Sequence, residues 1–479
     1  LGITELSSQT ADKGYSLEYR VEAFGSAGTG DYTPFWMVSN RYGIVPLDAG
    51  NGYLKPGVFY IQHFGKGFYW NAGIDLVAAA PRYKNVYVQQ LYAEIGFQAI
   101  LLSVGSKEKY TSLWDKNLSS GDMVLSSNAR PIPEISISFP EYTTVPLTKG
   151  WLHLKAEFAV GRSFDKGYLK HFANEKQVFT NDVLWHRKSG HFRVKDTRGN
   201  FPLSIEIGMR HGAQWGGTST DPKIGIQPHS LKDFIKVMLG KEGGSNASSM
   251  DSVNVLGNHY GSYDFRISME LGNMEFQAYH QHFFEDKSGM RFQNKLDGLW
   301  GIQIELPKLH WMRKVVLEHL NTRHQSGPFH FIFFDHDKYS GFGGGGDRYY
   351  NNEEYTTGLS YFNRSIGTPL LNSPEYNKDG SLGFKNTRTR HFHIGFEGDI
   401  TERISYRTLF TVMKGWGGVY DPYLDPKGGT STLVEITYSH PRLEGWLFRG
   451  SVGVDTGVYL DKGIGFGFSV SKSGILTAR

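Results

Sequence analysis

The 479-residue chain contains no cysteine. That excludes a disulfide framework, thiolate metal sites, a cysteine nucleophile and a lipid-modified N-terminal cysteine within this sequence. It is compatible with export through an oxidising compartment, where a stray thiol is a liability. Long apolar runs are lacking too: nothing approaches the ~18–20 apolar residues of a spanning helix. Nor does charge of one sign dominate. The 51 basic and 47 acidic residues leave a net +4, which suggests neither a nucleic-acid partner nor an acidic tail. Catalytic signatures are missing as well, with no Gly-x-Ser-x-Gly elbow and no His-Glu-x-x-His. The run Gly343 to Gly346 lacks the Lys-Ser/Thr of a phosphate loop and reads as a flexible loop tip. No cofactor is expected. The chain starts at Leu1 without a signal-like segment, and the expectation is a mature exported product.

What is abundant is glycine (59 residues) and aromatic side chains (14%), arranged with period two. From Gly463 the sequence reads Gly-Ile-Gly-Phe-Gly-Phe-Ser-Val-Ser. Ile464, Phe466, Phe468 and Val470 share one strand face, and Gly463, Gly465, Gly467, Ser469 and Ser471 the other. The pattern recurs. Leu152, Leu154, Ala156, Phe158 and Val160 oppose His153, Lys155 and Glu157; Tyr263, Phe265, Ile267, Met269 and Leu271 oppose Asp264, Arg266, Ser268 and Glu270. A strand with lipid outside and polar groups inside has this form. A mean hydropathy of −0.39 does not oppose it, because half of a barrel's strand residues face inward.

The fold class expected is therefore all-β: one transmembrane antiparallel β-barrel of about 18 strands over residues 1–479, with internal plug segments and a short loop helix. A soluble sandwich or propeller is the alternative. Short turns fall at Gly65–Gly67, Gly272-Asn273, 398–403 and 440–445. Long loops fall near 107–134, 162–201, 214–256, 325–354, 364–386 and 415–428, the usual asymmetry of such barrels. Up-down parity fails once in 162–201 and once in 325–354. The helix follows Ser230, with Asp233 three residues on, an apolar stripe at Leu231, Phe234, Ile235, Met238 and Leu239, and Gly240 at its end. It reads as a loop-packing helix or as part of a cap over the barrel.

Two tracts carry the chemistry of sugar recognition. Asp347, Arg348, Tyr349, Tyr350, Asn351, Asn352 and Glu353 combine planar rings with groups that bond hydroxyls. Trp416, Tyr420 and Tyr423, with Asp421 and Asp425, repeat the theme. The tyrosines suit an interfacial aromatic girdle equally well. His280 with His282 and His391 with His393 stand at i, i+2; no third ligand lies at convincing spacing, so they read as lumen-facing residues rather than a metal site.

Three ordered segments resemble a known family. They are Thr33-Pro-Phe-Trp-Met-Val-Ser-Asn-Arg-Tyr-Gly43, Ser127-Asn-Ala-Arg-Pro-Ile-Pro-Glu-Ile135, and the set Gln325-Ser-Gly-Pro328, Asp347-Arg-Tyr-Tyr-Asn-Asn352 and Arg364-Ser-Ile-Gly-Thr-Pro-Leu370. Together they are similar to the capsule-assembly Wzi family of outer-membrane proteins in its Bacteroidetes-type form. The resemblance implies an eighteen-stranded, largely plugged barrel of the cell outer membrane that acts as a surface lectin for capsular polysaccharide and is not an enzyme. The partners it implies are capsular or exopolysaccharide and outer-membrane lipid, with other surface-polysaccharide export proteins considered. Many outer-membrane barrels end in an aromatic residue, whereas here Phe468 is followed by Ser469 to Arg479. A substrate-specific porin or transporter is the alternative function.

Pro131 and Pro133 cannot donate ladder hydrogen bonds and bias Arg130 and Ile132 toward extended backbone. Residues 128–134 are therefore expected to form a stiff non-strand segment inside the lumen. Arg130, and similarly Arg41, would hold a plug shut by pairing with wall carboxylates such as Glu157 or Glu206.

Overall fold

A computed structural model describes residues 13–111, 113–199, 201–242, 255–325 and 348–478. In the last strand the outward Ile464, Phe466 and Phe468 are 45%, 62% and 55% exposed, while the inward Gly465 and Ser469 are buried. The face bearing rings is the outside of a closed wall, and the face bearing glycine is its inside.

The wall consists of β1 (Gly14–Gly28), β2 (Asn51–Gly65), β3 (Phe68–Ala80), β4 (Val86–Phe97), β5 (Ile100–Ser106), β6 (Glu134–Thr144), β7 (Leu152–Arg162), β8 (Leu184–Lys195), β9 (Leu203–Trp215), β10 (Asn258–Leu271), β11 (Met274–Phe284), β12 (Gly298–Glu305), β13 (Lys314–Asn321), β14 (Thr389–Thr401), β15 (Ile404–Gly417), β16 (Pro422–Ser439), β17 (Trp446–Gly457) and β18 (Gly463–Ala478). Each pairs antiparallel with its sequence neighbours, and β1 closes on β18 from Ser16↔Ala478 to Gly28↔Gly465. Closure leaves no open sheet edge, the condition for a β-structure in hydrocarbon. The chain is thus a transmembrane antiparallel β-barrel, and no helix among the described residues is long and apolar enough to cross a membrane.

Long connections gather at one end: 29–50, 107–133, 163–183, 216–257, 285–297 and 322–388. Both described chain ends lie at the other, with the short turns. Strand β8 lies inside the span expected to be one loop, 162–201. Its outward residues Leu184, His186, Lys188 and Gly190 are a poor apolar row, which hid it from the alternation test. Residues 415–428 are mostly strand rather than loop, because β15 runs to Gly417 and β16 starts at Pro422. The expected loops 325–354 and 364–386 belong to one connection, and β13 pairs directly with β14 across it (Lys314↔Glu397).

Among the described residues four short α-helices accompany the wall: α1 (Phe35–Val38), α2 (Lys166–Phe172), α3 (Leu231–Leu239) and α4 (Lys287–Met290). In α3 Ser230 and Asp233 form a reciprocal capping box, and Gly240 ends the helix at φ 61°. It does not cap the pore. It packs outside, where Val237 joins Ala213, Trp215 and Leu256 in a cluster with Leu184 and Phe234. Phe234 also lies edge-on to His186 at 5.4 Å. The helix therefore covers the polar outer row of β8.

Several charged residues on the inner wall are buried in pairs. Lys55 Nζ lies 2.6 Å from Glu108, Arg266 is 2.6 Å from Glu206, and Arg187 is 2.7 Å from Glu134. A buried charge without a partner would cost several kcal/mol, and these ion pairs avoid that cost.

Candidate functional site

Three long connections turn back into the barrel and fill it. In 29–50, all four residues of α1 are buried. The Phe35 N–H donates to Asp455 at 2.8 Å, and Trp36 Nε1–H donates to Thr411 at 2.9 Å. The inner glycines of β17 and β18 make the room. A Cβ at Gly453 would come within 2.6 Å of Pro34, and one at Gly465 within 2.5 Å of the same ring. Leu113, Trp114, Leu118, Met123 and Val124 enter from 107–133. Tyr349, Tyr350, Leu359, Ile366, Leu370 and Leu371 enter from 322–388. They form one hydrophobic cluster with inward residues of the wall, including Tyr279, Leu299, Val316, Leu409 and Leu433.

Polar contacts fix this plug to the wall. Glu318 on β13 accepts from Ser119 Oγ (2.7 Å), the Ser120 N–H (2.7 Å), Ser120 Oγ (2.5 Å) and Tyr279 OH (2.6 Å). Arg210 on β9 bridges Asp264 of the wall (2.7 Å) and Asp122 of the plug (2.5 Å). Gln281 donates to Asp122 at 3.0 Å and accepts from the Met123 N–H at 2.8 Å. Lys314 pairs with Asp115 at 2.8 Å. A cavity of about 20 Å³ remains within the plug and one of about 50 Å³ between plug and wall. A vestibule of about 550 Å³ at the short-turn end is lined by Arg41, Arg407, Glu435 and Arg449 among others.

Arg41 is bonded to a wall carboxylate, Glu435, which it shares with Arg407. Burial opposes the Arg41 charge, but the Glu435 carboxylate outweighs it and the guanidinium pKa is raised. Arg130 differs from expectation. Neither Glu157 nor Glu206 is its partner: Glu157 pairs with Lys109 and Arg187, and Glu206 with Arg193 and Arg266. Arg130 lies between the rings of Tyr87 (4.0 Å) and Phe362 (4.3 Å) and donates to the Val88 carbonyl at 2.9 Å. Burial lowers its pKa. Residues 128–133 contain no regular structure, in keeping with the two prolines, whereas Glu134, expected in the same segment, begins β6.

The sugar-type residues divide between inside and outside. Asp347 lies outside the described residues. Tyr349 and Tyr350 are 1% and 0% exposed and offer no ring face to solvent. Tyr350 OH donates to the Met123 carbonyl at 2.5 Å and accepts from the Thr368 N–H at 3.2 Å, stitching two plug segments together. Tyr349 OH accepts from Asn294 at 2.8 Å. Asn351 bonds both the carbonyl (2.9 Å) and the N–H (2.8 Å) of Phe384. Trp416 is turned to the outer wall, with Arg323 over its ring at 4.1 Å and Lys414 at 5.5 Å.

Residues of the two tracts do meet at the long-loop end. The Arg348 guanidinium lies 5.0 Å from the ring centre of Tyr420, which is 47% exposed. Glu353 is 3.7 Å from Arg348, and Lys427 is 4.3 Å from the half-buried Tyr423 ring. This rim presents aromatic faces beside cations and a carboxylate, the groups that stack on a sugar ring and bond its hydroxyls.

His391 and His393 face inward. His393 spends both ring nitrogens on Thr411 Oγ1 and the Leu118 carbonyl, each at 2.7 Å. His280 and His282 face outward rather than into the lumen, because Tyr279, Gln281 and Phe283 occupy the inner face; His280 stacks on Trp300 at 3.8 Å. Among the described residues no cluster of three potential ligands forms. The residues that sequence reasoning did not single out are the locks Glu318, Arg210 and Asp122. A carboxylate on the inner face of the apolar strand Val315-Val316-Leu317-Glu318 was the available signal.

Residues 18–371 match the family of capsule assembly protein Wzi. No curated protein matches the chain. Among solved structures, the chain is similar to Wzi of Escherichia coli, described as an outer-membrane protein involved in group 1 capsule assembly and a carbohydrate-binding β-barrel. The identity is 12% and the TM-score 0.59, over 95% of this chain and 83% of that one. It also aligns with Pseudomonas aeruginosa OpdQ at 10% identity and a TM-score of 0.49, covering 97% of this chain and 98% of that one.

Proposed function

Because the chain belongs to the capsule assembly protein Wzi family, we propose that it is a non-enzymatic, lectin-like barrel of the outer membrane that holds capsular polysaccharide on the cell surface. The observation that carries this reading is the filled lumen. Plug and wall share one buried cluster, with Leu118, Met123, Tyr350 and Leu371 at 0% exposure, so the long-loop end is a surface to bind on rather than an entrance. A porin would need a continuous water path, and the seating of Ser120 on Glu318, of Met123 on Gln281 and of Leu118 on His393 opposes one.

The rim pairs Arg348–Tyr420 and Lys427–Tyr423 are the proposed polymer contacts. Each is weak alone. A long polysaccharide engages many copies at once, and retention then arises from effective concentration rather than from one tight site. The E. coli relative's carbohydrate binding supports the same reading.

The test is polysaccharide retention in a deletion strain complemented with wild type or with Arg348→Ala/Tyr420→Ala. The wild type should restore cell-bound polymer, and the double variant should shed it while still assembling in the outer membrane. Equal cell-bound and shed fractions with and without the gene would overturn the attachment role.

A further inference from the structure

On the outer wall, one row of side chains crosses five strands in direct cross-strand register. Phe265 on β10 pairs with His280 on β11, His280 with Trp300 on β12, Trp300 with His319 on β13, and His319 with Phe392 on β14. The rings are packed together: His280 stacks on Trp300 at 3.8 Å and His319 on Phe392 at 4.4 Å. In the next row toward the short turns Ile267, Ala278, Ile302 and Leu317 follow in register. Ala278 is the small residue among them, and a groove of about 560 Å³ runs along these two rows.

One step toward the long-loop end, the chemistry changes. Arg390 and Lys414 are direct cross-strand partners, immediately above the pair Phe392↔Val412. Both are exposed, and they share the outward face with Phe392 (57% exposed) and Val412 (42% exposed). Like charges placed directly opposite one another destabilise a sheet pair and are relieved by a shared anion. Lys414 also lies against the ring of Trp416, the next outward residue of β15 toward the long-loop end.

We propose that this face is a binding site for the phosphorylated, multiply acylated glycolipid of the outer leaflet, with a phosphate on Arg390 and Lys414 and acyl chains in the groove below. The arrangement is continuous with the lipid-facing belt of the wall. It lies in the half nearest the long loops, which face the cell exterior in barrels of this kind. Its breadth selects the occupant. Five strands span about 19 Å at ~4.8 Å per strand, more than the two chains of an ordinary phospholipid cover. Bound there, the glycolipid would tie the wall beneath Trp416 to the leaflet from which the polymer extends.

The experiment uses the full chain extracted from outer membranes in mild detergent. Retained lipid is identified by mass spectrometry, and rebinding is measured with purified bisphosphorylated lipid A, phosphatidylglycerol and phosphatidylethanolamine as probes. The wild type should retain and rebind lipid A. Arg390→Gln/Lys414→Gln should retain at least tenfold less, and Ala278→Phe, which fills the groove without touching a charge, should also lose it. Arg442→Glu at the opposite rim should behave as wild type. Folding is checked for each variant by heat-modifiable mobility, and if the double variant does not assemble, Ala278→Phe decides. The proposal is overturned if wild type retains no glycolipid, if it prefers either phospholipid, or if folded variants retain as much lipid A as wild type.

Discussion

Glu318 on the wall and Ser120 in the plug are joined across the lumen, the Ser120 N–H donating to Glu318 Oε2 at 2.7 Å. The contact sits beside a tight backbone approach. His393 meets the Leu118 carbonyl at 2.7 Å, and a Cβ on Gly395 would come within 2.5 Å of the same oxygen. Glu318→Ala would strand four donors, the Ser119 hydroxyl, the Ser120 N–H and hydroxyl and the Tyr279 hydroxyl, at ~1–3 kcal/mol for each buried group left unpaired. Faster hydrogen exchange across 118–124 and stepped openings in single-channel recordings are the expected outcomes. Glu318→Gln, which keeps one acceptor oxygen, should fall between.

Arg130 should not behave as a gate. Its partners are two rings and one carbonyl. Arg130→Ala is expected to cost about 1–2 kcal/mol of stability through lost cation–π contact and to leave bilayer conductance unchanged. A conducting Arg130→Ala barrel would mean that the plug closes differently.

Tyr350 and Tyr420 should separate stability from binding. Tyr350→Phe removes the bonds to Met123 and Thr368, a loss of about 1–3 kcal/mol read as a lower unfolding temperature. Tyr420→Ala should leave that temperature in place. Losing about 1 kcal/mol per sugar contact would weaken polysaccharide binding about fivefold, measurable by glycan pull-down on intact cells.

Gly465 is where α1 seats on the wall. Gly465→Val would drive a side chain into Pro34, already within 2.5 Å of a single Cβ. Overpacking of this kind costs ~1–3 kcal/mol. The expected result is increased protease sensitivity in 29–50 with the barrel itself still heat-modifiable.

The connection between the outer loops should respond to pH through Asp165. Burial pushes its carboxyl up to about 6, against an ordinary ~3.9, while the carboxylate accepts the Phe362 N–H at 3.2 Å. A raised folded-state value means that the folded chain binds more protons than the unfolded one between about pH 4 and 6. Stability is therefore highest below that window, declines as pH rises through it and is flat above about pH 6. Asp165→Asn should flatten the profile of Phe362 amide protection between pH 4 and 6.

Much of the wall was legible because lipid and lumen impose opposite demands on alternate residues. β18 shows this, with rings outside and glycine and serine inside. β8 was not legible, since His186 and Lys188 occupy outward positions that only the packing of α3 makes tolerable. The residue type of Arg130 and the prolines beside it suggest a salt bridge. Yet it stacks between Tyr87 and Phe362, more than forty and two hundred positions away in sequence.

By itself the sequence determined a closed all-β wall, its lipid-facing side, the capping box of α3 and the stiff segment before β6. All of these follow from period-two alternation or from local backbone chemistry. Only the tertiary structure decided that Tyr349 and Tyr350 are plug core while Tyr420 is open to solvent. It also decided that Trp416 faces the outer wall and that Glu318 and Arg210 are the locks. Those outcomes depend on long-range packing: a tyrosine stacks on a sugar or fills a core according to what the distant loop beside it leaves uncovered.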